Sequence, residues 1–144
     1  MDEPVTKLLE QKNEPIESVT PQTSVGEAIA RMNERRIGSV LVMEGTRLAG
    51  IFTERDVLTR VVPARLDPDR TAVSEVMTAH PVTISPMTTV QEAMKTVTHT
   101  RCRHLPVLLA GKVLGLISIG DLTRWMVGDQ QRTIEDLIDY VHRV

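Results

Sequence analysis

The sequence repeats itself at an offset of 65 residues, and this internal repeat constrains the fold more than any other feature. When residues 19–58 are aligned with residues 84–123, nine pairs are identical and the alignment needs no gap. Ordinary composition would give about two or three identities. A shorter match precedes it, because Val5–Leu9 resembles residues 73–77 at a slightly larger offset. The sequence therefore predicts two similar units, residues 1–62 and 71–127, joined by a proline-containing linker at 63–70 and followed by a tail at 128–144.

Each unit has the pattern of an α+β fold, in the order strand, helix, strand, strand, helix. A capping box of the type S/T-x-x-E opens the first helix at Ser24 and again at Thr89, and apolar residues at helical spacing follow it. Two short β-rich runs around a glycine-containing turn then predict a hairpin. Short strands are expected before the first helices, at 16–19 and 82–84, and the two units should pack around a pseudo-two-fold axis.

The tail is predicted to form one extra helix. The second helices of the units should begin at Thr53 and Ser118 and end before Pro63 and at Gly128. Thr133 is then the predicted N-cap of the extra helix. Apolar residues follow it at i, i+3, i+4, i+7 spacing, namely Ile134, Leu137, Ile138 and Val141. The favoured interpretation is a helix that packs on the module or on a partner copy, rather than a regulatory tail.

Composition excludes several classes of protein. The chain has 17 basic and 19 acidic residues, a net charge of −2, and only one Phe, one Trp and one Tyr, so it offers neither a basic surface nor stacking platforms for nucleic acid. No apolar run approaches the ~20 residues that span a bilayer, and the N-terminus lacks the pattern of a signal peptide. Neither a nucleic-acid nor a membrane partner is therefore expected. Cys102 has no partner for an internal disulfide, which favours a cytoplasmic location.

The most informative local pattern is a glycine, two apolar residues, a serine or threonine, any two residues and an aspartate, and it occurs at 50–56 and 115–121. In one interpretation Thr53 and Ser118 are helix N-caps, with Asp56 and Asp121 in the positive field of the helix start. In the other, the helix start binds a phosphate and the carboxylate accepts hydrogen bonds from ribose hydroxyls. The two interpretations are compatible, and spacing alone favours capping.

Together these features resemble a pair of cystathionine-β-synthase (CBS) domains that form one Bateman module. The resemblance is carried by both copies of the [Ser/Thr]-x-x-Asp signature, by the hairpin strand at 37–42, and by Arg103–Val107 in the second unit. It covers nearly the whole chain, which is similar to stand-alone bacterial CBS-pair proteins without a catalytic domain. The four histidines lie at no metal-ligand spacing and no catalytic triad is visible, so no enzyme activity and no metal are expected.

The resemblance implies a regulatory sensor that binds an adenosine-containing ligand in one or both clefts between the repeats. AMP, ADP or ATP is expected first, with NAD(H) as the alternative and S-adenosylmethionine as a third choice. Carried over by position, Thr53 and Asp56 serve one cleft and Ser118 and Asp121 the other, with each aspartate on the ribose hydroxyls. Residues expected beside the adenine are Ile16, Ile37 and Val82.

Phosphate recognition is assigned to Arg103 and His104 in one cleft and to Arg55 in the other. Neighbouring side chains on a strand point to opposite faces, so one member of the Arg103–His104 pair should reach the phosphate. Arginine is favoured because its guanidinium can hold two phosphate oxygens. The two clefts differ in charge, since Gly38 and Ser39 occupy the equivalent positions in the first unit, and equal occupancy is not expected.

The expected partner is a second copy of the chain, while the downstream protein is unknown. The second helices carry more apolar positions than a small sheet can cover, and the family pairs its modules, so a symmetric homodimer follows. The positions concerned are Val57, Leu58, Val61, Leu122, Trp125 and Met126. The alternative function is a ligand-independent interaction scaffold in which both aspartates only cap helices.

Overall fold

A computed structural model of the chain describes residues 2–143, whose elements fall into two similar halves. The elements of the first half are α1 (Val5–Lys12), β1 (Ser18–Val19), α2 (Val25–Arg35), β2 (Ser39–Glu44), β3 (Arg47–Thr53) and α3 (Glu54–Asp56), which continues as a π-helical turn (Val57–Val61). Those of the second half are a 3₁₀ turn (Val73–Glu75), β4 (Thr78–Ala79), α4 (Val90–Thr100), β5 (His104–Leu109), β6 (Lys112–Ser118) and α5 (Ile119–Arg143). The predicted α+β fold with a C-terminal helix is confirmed.

The first helix of each unit begins where its capping box predicts. The Ser24 side chain accepts a hydrogen bond from the Glu27 backbone N–H, and Thr89 forms a reciprocal box with Glu92. Each cap satisfies a backbone donor that the first helical turn leaves free. The apolar stripe behind each cap faces a hydrophobic core, with Val25, Ala28 and Met32 buried in α2 and Val90, Ala93 and Val97 buried in α4.

Each unit contains one antiparallel hairpin, β2–β3 or β5–β6. The hairpin turns contain Gly45 and Gly111, whose φ angles of 64° and 80° favour glycine. β1 pairs in parallel with β2 and β4 pairs antiparallel with β3, giving a four-stranded sheet. On the second hairpin the predicted strand at 82–84 is reduced to a bridge between Ile84 and Val107. This bridge corresponds to the β1–β2 pairing of the first half. In addition, the outer edge of β6 lacks an equivalent of β4 within the described residues 2–143.

The leading segment of each unit packs on the other unit. Val5 and Leu8 of α1 lie in the core of the second half, whereas Val73 and Val76 lie in the core of the first half. The backbone contacts repeat in the same way: the Val5 N–H donates to the carbonyl of Thr88 at 2.8 Å, and the Val73 N–H donates to that of Thr23 at 2.8 Å. This exchange ties the two units into one body.

The exchanged segments also explain an identical glycine pair in the repeat. A Cβ on Gly115 would lie 2.6 Å from Leu9 Cδ2, and a Cβ on Gly50 would lie 2.6 Å from Met77 Sδ. Because real Cβ atoms do not approach this closely, each glycine admits the side chain of the exchanged segment. The sequence match between the two leading segments therefore marks two equivalent contacts.

The predicted break in front of the tail helix is wrong, because α5 runs without interruption through Gly128 and Thr133. The Thr133 hydroxyl donates to the Asp129 carbonyl inside the helix, so it is not an N-cap. The Arg132 guanidinium lies 5.5 Å from the centre of the Trp125 ring and links the two sides of the glycine. Glycine in a helix interior costs only about 1 kcal/mol, which neighbouring contacts offset. No helix in the described part of the chain is long and apolar enough to cross a bilayer.

Candidate functional site

A cavity of about 520 Å³ lies between the two units. Its walls come from the end of α1 and the segment after it, from the end of α2 and the start of β2, and from the second hairpin with the start of α5. The lining residues that bear on its chemistry are Lys12, Ile16, Ile37, His104, Ser118, Asp121 and Arg124. A volume of this size fits a nucleotide-sized small molecule.

The turn from β6 into α5 presents Ser118 and Asp121 to the cavity. The Ser118 backbone N–H donates to Asp121 Oδ2 at 2.8 Å, and the Asp121 N–H donates to Ser118 Oγ at 3.1 Å. This reciprocal arrangement confirms the capping interpretation at this turn. It also fixes the carboxylate at the cavity wall, because the backbone holds it on one side.

Two cations complete the surroundings of the Asp121 carboxylate. Lys12 Nζ donates to Oδ2 at 2.8 Å, and the Arg124 guanidinium donates to Oδ1 at 2.7 Å. Burial alone would raise the pKa of Asp121, but the hydrogen bonds from Lys12 and Ser118 outweigh it and lower the pKa below its ordinary value of 3.8. Asp121 is therefore charged at neutral pH and acts only as a hydrogen-bond acceptor.

His104 begins β5 directly opposite Ser118 and also lines the cavity. Burial lowers the pKa of His104 below its ordinary value of 6.5. The nearby charges partly cancel, since Glu54 and Asp121 raise that pKa while Lys12 and Arg103 lower it. The imidazole is therefore neutral at neutral pH, and it offers one hydrogen-bond donor and one acceptor rather than a positive charge.

The lowered pKa of His104 predicts a loss of stability in mild acid. Between pH 6.5 and the folded-state pKa, the unfolded chain binds more protons than the folded chain, so lowering the pH through this window favours unfolding. Denaturant unfolding at about pH 7.5 and about pH 5.5 should show this loss in the wild-type protein and a smaller one in His104→Gln. The exposed His99 supplies the control, because His99→Gln should behave like the wild type. Equal losses in all three proteins would contradict the assignment.

The equivalent turn of the first unit lies outside the lining of this cavity. The Thr53 N–H and the Asp56 carboxylate form the same reciprocal cap, at 2.9 Å, with the Asp56 N–H donating to Thr53 Oγ1 at 3.3 Å. Asp56 is only 6% exposed, and Arg60 lies 3.7 Å from Oδ1. Within the described residues, the Asp56 carboxylate contacts only groups of its own unit, so its capping role needs nothing from the second unit.

The remaining predicted site residues divide between the cavity wall and the surface. Ile16 and Ile37 line the cavity, as expected for residues beside an adenine. Val82 is partly exposed and lies outside the lining, and Arg55 and Arg103 are exposed side chains that also lie outside it. In the Arg103–His104 pair the strand therefore turns the histidine, not the favoured arginine, towards the cavity.

Sequence reasoning missed the basic residues that the fold brings to this cavity from both units. They are Lys12, Arg35, Arg36 and Arg124. One signal was available for Arg36, which is identical to Arg101 in the second repeat. Both arginines end a helix with positive φ angles, 54° and 57°, in a conformation for which glycine or asparagine is usual. Lys12 had no comparable signal, because α1 packs on a unit more than 70 residues away in sequence.

Comparison with known proteins identifies the family. A family model described as "CBS domain" matches residues 8–63 and 73–128. A putative signal-transduction protein with CBS domains from Burkholderia ambifaria MC40-6 is 41% identical in a solved structure, with a TM-score of 0.84 over 88% of this chain and 96% of that chain. A CBS domain protein from Pyrobaculum aerophilum, solved in complex with AMP, is 24% identical with a TM-score of 0.73, covering 82% of this chain and 88% of its own.

Among curated relatives, the mitochondrial CBS domain-containing protein CBSX3 of Arabidopsis thaliana is 32% identical over 127 residues, which are 85% of this chain. The chain spans 62% of that relative's length and 22% of the length of the plant protein CBSCBSPB5, at 34% identity over 82% of this chain. The two matched segments cover most of the sequence, and each contains one of the two hairpins. The chain therefore belongs to the CBS-domain family and contains a tandem pair of these domains.

Proposed function

We propose that this protein is a non-enzymatic regulatory module that binds an adenosine-containing ligand in the cavity between its two CBS domains. The observation that carries the proposal is the meeting of a charged carboxylate, Asp121, with the apolar side chains of Ile16 and Ile37 in one cavity of about 520 Å³. A carboxylate can accept hydrogen bonds from both hydroxyls of a ribose. Apolar side chains on the facing wall can cover the adenine ring.

The surrounding charges favour a ligand that carries phosphate. Among the cavity residues, Glu17 pairs with Arg35 at 3.3 Å, and Asp121 pairs with Lys12 and Arg124. Within the described residues Arg36 forms no ion pair, and it reaches the cavity from the end of α2. AMP is the first choice, since the related Pyrobaculum aerophilum protein was solved with AMP. ADP, ATP and NAD(H) share the same ribose and phosphate chemistry, and S-adenosylmethionine shares the ribose.

Mass spectrometry of ligand released from the natively purified protein tests the proposal, with an adenosine compound as the expected result. Thermal unfolding with added ligand provides an independent measurement. At 100 times its dissociation constant a ligand should stabilise the protein by about 2.7 kcal/mol. An unchanged melting temperature across AMP, ADP, ATP, NAD, NADH and S-adenosylmethionine would instead favour the ligand-independent scaffold. Each aspartate accepts the backbone N–H of its own cap residue, and this structural role of both carboxylates is the observation that favours the second function.

We also propose that the module pairs with a second copy of itself, through a surface different from the one expected. Of the expected positions, Val61 and Leu122 lie in the hydrophobic cores of their own units and cannot contact a partner, whereas Leu58 is 69% exposed. Residues 130–142 of α5 are all exposed, and an isolated helix of this length is marginal in water. Its apolar stripe, Ile134, Leu137, Ile138 and Val141, is at least half exposed. Asp136 and Asp139 lie off the stripe, so pairing two copies of α5 buries no like charges.

Light scattering at micromolar concentration tests the pairing. The wild-type protein should have the mass of a dimer, and Leu137→Asp should have the mass of a monomer, because it places a charge in the apolar contact. Asp136→Ser changes the opposite face of the same helix and should leave the dimer intact. A monomeric wild-type protein, with or without nucleotide, would contradict the pairing.

The cytoplasmic location stays a prediction that cell fractionation can test. The competing compartment is the mitochondrion, which the name of one relative indicates for that relative.

A further inference from the structure

We propose that Lys12 is a gating residue. Its ammonium group donates a hydrogen bond to the Asp121 oxygen that a ribose diol needs, and ligand binding moves this ammonium group from Asp121 to Glu14. The proposal rests on the proposed function, because the competing group is the ribose of the ligand. It adds a residue of the N-terminal helix to the site and links cavity occupancy to the contact between α1 and the second CBS domain. Lys12 lines the cavity, and its side chain is 21% exposed.

The argument begins with the acceptor sites of the Asp121 carboxylate. Two oxygens provide about four lone-pair sites. Oδ2 accepts from the Ser118 N–H at 2.8 Å and from Lys12 Nζ at 2.8 Å, whereas Oδ1 accepts from Arg124 at 2.7 Å. A diol that places one hydroxyl on each oxygen finds a free site on Oδ1 and none on Oδ2. The Ser118 donor is fixed in the backbone of the turn, so Lys12 has to leave.

Lys12 also occupies a sheet edge that differs between the two domains. Its ammonium group donates to the Leu116 carbonyl of β6 at 2.9 Å. In the first domain the equivalent residue, Ile51, is paired with Thr78 of strand β4. In the second domain the segment equivalent to β4 belongs to helix α1. The edge of β6 is therefore covered by the long side chain of Lys12 and not by a strand. A side chain can be released without breaking a strand pair, so this contact is the more easily reversed of the two.

Glu14 gives the released ammonium group a second partner. Its Oε2 already lies 4.0 Å from Lys12 Nζ, and its side chain is 63% exposed. It follows Asn13, whose φ angle of 42° ends α1 in the left-handed conformation. Lys12 can therefore exchange one carboxylate for the other without leaving its charge unpaired in the cavity wall. These two partners define the two states of the gate.

Calorimetry with AMP and with 2′-deoxy-AMP tests the gate in the full-length protein. 2′-Deoxy-AMP has a single ribose hydroxyl, which Oδ1 accepts without displacing Lys12. Lys12→Met should raise the affinity for AMP about tenfold, the equivalent of one hydrogen bond to a charged group, and leave the affinity for 2′-deoxy-AMP unchanged. Lys7→Met is the matched control on the same helix, because Lys7 pairs with Glu3 and its side chain is 56% exposed. It should alter neither affinity.

A second variant tests the other state of the gate without touching Asp121. Glu14→Gln removes the partner for the released ammonium group, so it should lower the affinity for AMP severalfold and leave that for 2′-deoxy-AMP unchanged. A fall in AMP affinity in Lys12→Met, or equal changes for the two ligands, would overturn the gate while leaving the proposed function in place. Failure of the wild type and all variants to bind AMP would overturn both.

Discussion

Replacing Asp121 by alanine is expected to lower the affinity for AMP about 100-fold. The carboxylate is the acceptor for both ribose hydroxyls in the proposed complex, and a hydrogen bond to a charged group contributes about 1.5–3 kcal/mol. Two such bonds near the middle of that range, less the hydrogen bond to Lys12 that binding breaks, correspond to a factor of about 100. Isothermal titration calorimetry of the wild-type and Asp121→Ala proteins measures the difference directly.

Asp56→Ala is the matched control for this experiment. Asp56 has the same place in the first repeat and the same reciprocal cap, so each variant loses one helix cap at a cost of about 0.5–2 kcal/mol. Of the two aspartates, Asp121 lines the cavity and Asp56 does not. Asp56→Ala should therefore keep the wild-type affinity for AMP in this cavity. The separate cleft predicted for Thr53 and Asp56 stays a proposal, which a second binding event lost only in Asp56→Ala would support. Equal losses of AMP affinity in both variants would contradict the assignment of the cavity.

The features that the sequence predicts correctly are those written in neighbouring residues. Capping boxes at Ser24 and Thr89 place helix starts because the donor and the acceptor lie three residues apart. The hairpins follow from short apolar runs around Gly45 and Gly111, which supply the positive φ angles of the turns. The repeat strengthens both inferences, because each local pattern occurs twice.

The features that the sequence does not predict depend on contacts between distant residues. Val5 bonds to Thr88, and Lys12 bonds to Asp121, across more than 80 residues of chain. The match between the leading segments showed that they are equivalent, but not that each packs on the other unit. The sequence predicts a helix end at Gly128, because glycine often follows a last turn, but the helix continues for 15 further residues.

The cavity wall shows the same division at the level of single side chains. Strand alternation predicts that one member of the Arg103–His104 pair reaches the phosphate, and phosphate chemistry favours the arginine, whereas the structure turns His104 towards the cavity. The start of β5 and its register with β6 decide which of the two side chains faces the cavity. His104 pairs with Ser118 across the hairpin, and that register is set by the bulge between Val107 and Leu108 as well as by the turn.

The exchange of leading segments predicts a large effect for Leu8→Ala. Leu8 is 4% exposed and belongs to the core of the second CBS domain, although it lies in the first segment of the chain. Removing a buried leucine side chain leaves a cavity and costs about 2–5 kcal/mol. Denaturant unfolding should show this loss, whereas Lys7→Ala, an exposed position on the same helix, should change the free energy of unfolding by less than about 0.5 kcal/mol.

Native-state hydrogen exchange shows where this free energy is lost. Because Leu8 packs in the core formed by Leu105, Val107 and Ile117, exchange should accelerate first in β5 and β6, about 100 residues away in sequence. The β2–β3 hairpin has its own core around Phe52 and Val73 and should keep its protection until global unfolding. Acceleration confined to β2 and β3 would mean that α1 packs on its own unit. That result would contradict the packing of each leading segment on the other unit. Acceleration in β5 and β6 makes the N-terminal helix an energetic part of the second domain, which is the coupling that a gate at Lys12 requires.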